Sequence, residues 1–322
     1  MRAKSLAWQN EMGDGVEAIL KISEGSEHQL QAFANQRAYL VLLAYRMLGD
    51  IGRAEDMVQE AWLRWQAVAA EVDSPRAYLV TVVTRLCLQE LGSARARKEE
   101  SRSDRLPEPV DLEAGGLPTV ERIEQISMAV GVVLQRLTPA ERAVLLLHDV
   151  FDVEHEEIAR LLERSVPACR KLLERARHDV RDGRRMLEAS PAEHRRLLQA
   201  FVGAATAGDM AKLMDLLADD AVIISDGGEA GRGVGGLRNL NRPLAGAPHV
   251  AAFVVAATQR GSALFQWEEH DLNGQPAIVF YDADRPSAAL LLGVADGKIL
   301  RVFFHADLHR LGHVGARRRA NA

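Results

Sequence analysis

The stretch EHEEIARLLERSVPACRKLLERARHDV, residues 154–180, reads as two short helices joined by a tight turn. Ile158, Ala159, Leu161 and Leu162 give the first helix an apolar face, and the small Ala159 lets a second helix cross closely. Ser165 is placed to cap that second helix, with Pro167 in its first turn. Its inward positions are then Cys169, Leu172, Leu173 and Ala176. Arg164, Ser165, Ala168, Arg170, Lys171 and Arg175 remain outside, where basic groups can meet phosphates and base edges in a major groove. A helix-turn-helix is expected; the plainer alternative is a charged solvent face on a helical hairpin.

Upstream, Thr138-Pro139-Ala140-Glu141 carries a capping residue, a proline at the first helical position and the reciprocal glutamate. Helical periodicity covers Val120 to Leu137 before it. From Ala38 to Leu91 the apolar sets Met57, Val58, Ala61, Trp62, Trp65 and Tyr78, Leu79, Val82, Val83, Leu86 again follow a helical period. Gly49-Asp50 and Asp73-Ser74-Pro75 punctuate them, so three or four helices are expected there. Residues 99–118 lose the period and contain Leu106-Pro107-Glu108-Pro109 and Gly115-Gly116-Leu117-Pro118. That composition favours an extended linker with no core of its own.

Downstream of Ser190-Pro191, one helical stretch to Leu217 gives way to β-like runs at Ala221–Ser225, Ala263–Trp267, Ala277–Tyr281, Ala288–Val294 and Ile299–Phe304. Asn273-Gly274 and Asp296-Gly297 are tight-hairpin dipeptides. A curved antiparallel sheet covered by helices is expected. The fold class is therefore multidomain: two all-α modules, a helical bundle and a helix-turn-helix, then an α+β unit. The boundaries expected are 1–98, a linker at 99–119, 120–190, 191–312 and a tail at 313–322.

The chain has 322 residues, 48% hydrophobic and 26% charged, enough for two or three cores. Neither a run of eighteen apolar residues nor a cleavable leader is seen, so a soluble cytoplasmic protein with no membrane partner is expected. Cys87 and Cys169 both fall in amphipathic segments and read as reduced, buried thiols. The net charge of −5 argues on average against nucleic acid. The basic residues nevertheless bunch, at Arg95, Arg97, Lys98 and Arg102 and again from Arg160 to Arg181, apart from Glu55, Asp56 and Glu60. That separation suits two different partners.

Ala44-Tyr45-Arg46-Met47-Leu48-Gly49 and Ala54-Glu55-Asp56-Met57-Val58-Gln59-Glu60-Ala61-Trp62-Leu63-Arg64-Trp65 resemble the core-binding region of extracytoplasmic-function sigma factors. Pro75-Arg76-Ala77-Tyr78-Leu79 with Thr84-Arg85-Leu86 resembles the family's promoter-melting segment, and Val166-Pro167-Ala168-Cys169-Arg170 its reader of the distal promoter element. Leu106-Pro107-Glu108-Pro109, Ser225-Asp226-Gly227-Gly228 and Arg242-Pro243-Leu244-Ala245-Gly246 resemble the SigJ-like group, which carries a C-terminal SnoaL-like cone domain.

The resemblance implies promoter DNA and core RNA polymerase, through its β′ clamp helices and β subunit, as partners. For docking it implies Glu55, Asp56, Gln59, Glu60, Trp62 and Trp65, a helix offering carboxylates beside large aromatics. Both tryptophans also read as core. For single-stranded promoter DNA it implies Arg76, Tyr78, Arg85, Arg95 and Arg97, with Tyr78 equally readable as core. Leu106, Pro107, Glu108, Pro109, Asp226, Gly227 and Gly228 are implied in coupling the last domain to the rest.

The sequence also departs from the family. Gln89 and Gly92 replace its usual Asp and Arg, which raises a rival reading as a sigma-derived regulator that no longer initiates. Ser101 to Arg105 is polar where aromatics are usual, Glu163 stands where the turn usually has glycine, and Glu229-Ala230 alters the glycine run. An enzyme fused to helical modules is a second rival, because SnoaL-like folds include cyclases. Its candidates Asp226, His249 and His270 have no recognisable catalytic spacing, so no catalysis and no cofactor are expected, and a small ligand for the last domain is the preferred alternative. His305, His309 and His313 would align on a continuous helix with Asp307 nearby, but Gly312 interrupts them and no metal is expected.

Overall fold

A computed structural model describes residues 29–68, 72, 74–93, 105–111, 128–181, 186, 189–228, 240, 242–261 and 266–317. The helical part contains α1 (29–48), α2 (Ile51–Val68), α3 (Pro75–Leu91), α4 (Met128–Arg136), α5 (Pro139–Asp149), α6 (His155–Leu161) and α7 (Val166–Asp179). Local signals set its helix ends. Gly49, at φ +69°, terminates α1 in a left-handed conformation that suits a residue without Cβ. Ser74 accepts from Ala77 N at the start of α3, and Thr138 and Glu141 form the expected reciprocal box on α5.

The two helical modules share one interior. A single apolar cluster runs from Leu43 and Met47 through Val58, Trp65, Val83 and Cys87 to Val144, Leu147, Ile158 and Leu172. Arg142, 2% exposed, fastens the modules. Its guanidinium donates to the Met47 carbonyl in the last turn of α1 and to the carbonyls of Leu134 (2.8 Å), Gln135 (3.1 Å) and Leu137 (3.2 Å) around the end of α4. Helix ends leave carbonyls without partners and carry partial negative charge, so a buried cation there is stabilised.

The C-terminal unit comprises α8 (Pro191–Ala207), α9 (Met210–Leu216), β1 (Leu217–Asp226), β2 (Leu244–Ala245), α10 (Ala247–Gly261), β3 (Gln266–Leu272), β4 (Gln275–Asp282), β5 (Arg285–Ala295) and β6 (Lys298–His305), then a 3₁₀ turn at Leu308–Arg310. The strands form one sheet in the order β2-β1-β6-β5-β4-β3. The sheet is mixed, not wholly antiparallel as expected, because β1 pairs parallel with β6 after the chain has crossed over through α10 and three hairpin-linked strands. Together with the helices it makes the α+β cone expected from the resemblance.

Strand alternation gives the sheet two apolar faces. Ile223, Ile278, Leu292 and Val302 pack with Leu198, Phe201 and Val250 of the unit's own helices. Ile224, Val279, Leu291 and Phe303 pack instead with Leu106, Met128 and Met186, which come from outside the cone, and with Leu311 and Val314. Burial on both faces explains why β4 and β5 read as nearly continuous apolar runs. Asn273-Gly274 and Asp296-Gly297 have positive φ at both positions, the two-residue hairpin geometry expected of these dipeptides.

Other elements depart from the sequence reading. The helical stretch before the sheet breaks at Gly208 (φ +68°), and Asp209 caps a new helix by accepting from Lys212 N. The strand expected at 263–267 is found at Gln266–Leu272, with 263–265 outside the described residues, and α10 was not among the expected elements. Leu106 to Asp111 is buried, although its composition suggested an extended stretch outside any core. Among the described residues no helix is long and apolar enough to cross a membrane.

Candidate functional site

Helix α2 buries Ile51, Ala54, Val58, Ala61 and Trp65 along one stripe. Trp65 follows Ala61 by four residues and Val58 by seven, so the helical period turns it inward, to 2% exposure. The expectation of Trp65 as a contact residue is therefore corrected: it is core, with Tyr78 at 5.8 Å between ring centroids. Trp62 is half-buried and lies 4.7 Å from the Phe33 ring. Asp56 and Gln59 are exposed, Glu55 is paired with Arg37 (3.3 Å) and Glu60 with Arg64 (2.9 Å). Leu63, missed in the sequence, is 55% exposed and supplies the apolar side chain on this outer face. Its position, four after Gln59 and seven after Asp56, was the available signal.

On α3, Arg76 donates to the Tyr39 hydroxyl (2.9 Å) and lies 5.0 Å above that ring. Arg85 is exposed and Tyr78 half-buried. Nine residues are two and a half helical turns, so Arg76 and Arg85 leave α3 on opposite sides and are not brought together. Arg95 and Arg97 lie outside the described residues. Gln89 is exposed, and Gly92 ends α3.

The helix-turn-helix expectation matches the geometry of α6 and α7. Cys169, Leu172, Leu173 and Ala176 are buried, whereas Arg164, Ser165, Arg170, Lys171 and Arg175 are exposed and Ala168 is half-buried. Ser165 caps α7 by accepting from Ala168 N (3.4 Å). Glu163 takes up the left-handed turn position at φ +53°. Arg175 reaches Glu141 (3.6 Å), and Arg177 forks onto both oxygens of Asp149 (2.6 and 3.1 Å).

Leu106 to Asp111 joins the helical part to the cone through alternate residues. Leu106 N donates to Asp226 Oδ2 (3.0 Å), and its carbonyl accepts from Arg310. Glu108 N donates to the Gly49 carbonyl (2.9 Å), while the Glu108 carbonyl accepts from the Tyr45 hydroxyl (2.7 Å). Val110 N donates to Asn273 Oδ1 (3.1 Å), and Asn273 N returns a bond to the Val110 carbonyl (2.9 Å). Pro107 and Pro109 fall between these residues and have no N–H to satisfy. A buried extended stretch must place its backbone polar groups, and at Leu106, Glu108 and Val110 both the N–H and the carbonyl find partners, drawn from both sides.

Side chains extend the joint. The Glu108 carboxylate accepts from Ile51 N (2.8 Å) and meets His313 Nδ1 (2.8 Å). Burial raises its pKa, against these two partners. Burial also pushes the Tyr45 phenol far up, so it remains a donor, and it accepts from Asn273 Nδ2 (2.7 Å). Arg310 donates to the Gly49 carbonyl (2.6 Å) and pairs with Asp226 (3.3 Å). Burial by itself would raise Asp226, but Arg310, His305 and the Leu106 and Gly228 N–H groups outweigh it and hold the carboxyl low. Gly228, at φ +67°, donates to Asp226 (3.0 Å), and Gly227 is buried beside it.

The catalytic candidates do not converge. Asp226 is engaged in the joint, His249 is exposed and bonded to the Ala245 carbonyl, and His270 meets the Tyr281 hydroxyl (2.7 Å). The three late histidines are not aligned, because His305 ends β6, His309 lies in the 3₁₀ turn and His313 reaches Glu108. Among the described residues no group of three or more His, Cys, Asp or Glu could hold a metal. Cys87 and Cys169 are free and buried.

Comparison with known families and structures agrees with this geometry. The family described as Sigma-70 region 2 matches residues 35–97, which include α2 and α3, and Sigma-70, region 4 matches residues 127–179, which include the helix-turn-helix. The probable ECF RNA polymerase sigma factor SigI of Mycobacterium tuberculosis is 32% identical, over 84% of this chain and 90% of that protein. SigJ of the same organism is 35% identical, over 84% and 89%. The crystal structure of SigJ superposes with a TM-score of 0.68 at 30% identity, covering 88% of this chain and 98% of the other. With a Sigma-70 region 2 module, a helix-turn-helix and a sheet unit, and with relatives matched at this identity and coverage, the chain belongs to the extracytoplasmic-function sigma factors, which direct RNA polymerase in transcription initiation.

Proposed function

We propose that residues 1–98 dock core polymerase and melted promoter DNA, that 120–190 read the distal promoter element as duplex, and that 191–312 adjust both through the stretch within 99–119. Of residues 313–322, expected as a tail, His313 meets Glu108 in the joint and Val314 packs against the sheet. The observation that carries this division of labour is the joint itself, in which Glu108 bonds to the helical part while Leu106 and Val110 bond to the cone.

On α2, the docking surface for the β′ clamp helices consists of Asp56 and Gln59 with the outward-facing Leu63, supported by Glu55, Glu60 and Trp62. Carboxylates steer the encounter and the leucine supplies the apolar anchor. Arg164, Ser165, Ala168, Arg170, Lys171 and Arg175 face the duplex, and Arg76 and Arg85 serve the melted strand together with Arg95 and Arg97. The β subunit is the remaining polymerase contact. The protein works in the cytoplasm, where its template and polymerase are, and catalyses no reaction itself. Because Leu106, Met128 and Met186 fill the outer face of the sheet, a small ligand of the cone would have to enter on the helix-covered side.

The test is transcription by core polymerase on genomic fragments bound by the protein. Leu63→Ala should lower core-polymerase affinity without altering duplex binding. Truncation after about residue 190 should change transcript output while polymerase binding persists. Equal output from truncated and full-length protein would remove the regulatory role of the cone, and unchanged affinity in Leu63→Ala would remove the anchor.

A further inference from the structure

Helix α7 packs across α5, with Cys169, Leu172, Leu173 and Ala176 turned into the shared interior. Two arginines flank this inward stripe. Arg175 and Arg177 stand on either side of Ala176, roughly 200° apart around the helix, and leave it in opposite directions. They reach opposite ends of α5. Arg175 meets Glu141 in the first turn (3.6 Å), and Arg177 forks onto both carboxylate oxygens of Asp149, the last residue (2.6 and 3.1 Å). Eight positions separate the two carboxylates, about 12 Å along α5. The pairs therefore brace α7 on both sides of its crossing with α5.

The pairs are unequal. Glu141 also closes the capping box with Thr138, and its contact with Arg175 is longer than a hydrogen bond. Asp149, with a side chain only 12% exposed, holds the planar guanidinium bidentately, which fixes direction as well as distance. A carboxylate at a helix C-terminus opposes the helix dipole, so α5 alone gives no reason for an aspartate there. Arg177 supplies that reason, with His148 Nδ1 a further contact at 3.3 Å. Apolar packing is non-directional and decides that α7 docks, whereas directional bonds on its flanks set the angle.

The reading end of α7 is far from this brace. Ser165 precedes Ala176 by eleven positions, about 16 Å along the helix, so a swing of about 10° moves it by about 3 Å. That is a whole hydrogen-bond length, and residues at the N-terminal end of a recognition helix are those that meet base edges. We propose that Arg177, anchored by Asp149, is a positioning residue that sets the angle of α7 and through it the sequence discrimination of duplex binding. This role rests on duplex reading by α7 and adds a pair that touches no base. The competing role for Arg177 is a phosphate contact, and the two differ in sign at Asp149. Removing a carboxylate beside a phosphate-binding arginine strengthens binding to every sequence. Removing the anchor of a positioning arginine weakens binding to the preferred sequence alone.

The experiment measures, by anisotropy over a range of salt, binding of the full chain to two labelled duplexes: one recovered from genomic fragments that the protein binds, the other its shuffled sequence. Asp149→Asn and Arg177→Gln should each lower the ratio of the two affinities by about fivefold or more, the equivalent of one lost base contact. The double variant should lower it no further than either single one, because both remove the same pair. Melting curves should overlay the wild type, since an ion pair with one half-exposed partner adds little to stability. Unchanged discrimination in Asp149→Asn, or a gain of affinity for both duplexes, would overturn the positioning role. So would a fall of about one in the salt slope of Arg177→Gln on the shuffled duplex, the mark of a lost phosphate contact. Lys171→Ala tests the underlying reading separately: weaker binding to the preferred duplex supports α7 as the reader whatever Asp149→Asn does, and unchanged binding would remove that reading and the positioning role with it.

Discussion

Residues 166–179 and residues 106–111 treat their polar groups in opposite ways. Helix α7 satisfies most of its own backbone and has a serine cap, so Arg170 and Lys171 stand in solvent with their chemistry directed outward. The stretch from Leu106 satisfies nothing by itself, and Tyr45, Gly49, Asp226, Asn273 and Arg310 consume its polar groups. A point change on α7 should therefore alter recognition without altering the fold. A change in the extended stretch or its partners acts on two units at once.

The sharpest way to break this contrast is to remove Arg310. Its loss leaves Asp226 buried without its cation and takes a donor from the Gly49 and Leu106 carbonyls. Removing one partner from a buried pair costs about 3–5 kcal/mol, so Arg310→Ala should lower the unfolding temperature of the full chain by several degrees in calorimetry. A melting curve that overlays the wild type would mean that the joint bears little of the stability. Arg170→Ala is the counterpart on α7. It should weaken duplex binding by about 1–3 kcal/mol if it contacts a base, with the melting curve unmoved. A fall in both quantities would show that α7 is less independent of the fold than its exposure indicates.

Acidification tests the joint without a mutation. Burial, together with Arg310 and despite Asp226, lowers the His305 pKa to about 3. Its ordinary value is near 6.5, so the unfolded chain takes up a proton first as the pH falls. Stability from this group is fully present above about pH 6.5 and is lost as the pH drops toward about 3, at up to about 1.4 kcal/mol per pH unit. His194, also lowered by burial, acts in the same direction. Denaturant titrations from neutral to mildly acidic pH should show the decline, and His305→Gln should make it shallower by about one proton's share. An unchanged slope in that variant would place the acid sensitivity elsewhere.

The difference between the regions also sets what could be read in the sequence. Helix starts at Thr138 and Ser165, the inward residues of α7, and the turns at Asn273-Gly274 and Asp296-Gly297 are local signals, and the structure carries each of them. Trp65 was ambiguous because aromatic residues serve cores and contact surfaces alike; the resemblance implied a contact, and the structure places it in the core. The joint was legible only in part. Proline at every second position predicts extended backbone, but Tyr45, Asn273 and Arg310 approach it from sites 63–204 residues away. No local rule gives their meeting. The parallel β1–β6 pairing escaped for the same reason, since it forms only after the intervening chain has crossed over.

The smallest expected effect lies in the turn between α6 and α7, where local sequence and local backbone disagree. Glu163 has φ +53° and an exposed side chain, and its N–H reaches the Arg160 carbonyl at only 3.4 Å. A side chain with Cβ in that conformation costs about 1 kcal/mol or more, which glycine avoids, although glycine loses more backbone freedom on folding. Glu163→Gly should therefore stabilise the protein by about 0.5–1 kcal/mol. It also removes a carboxylate next to Arg164, so duplex affinity should rise slightly and more at low salt than at high salt. A destabilised Glu163→Gly would show that the glutamate makes a compensating interaction within the turn, and α7 would then resemble the joint in depending on specific side-chain partners for its placement.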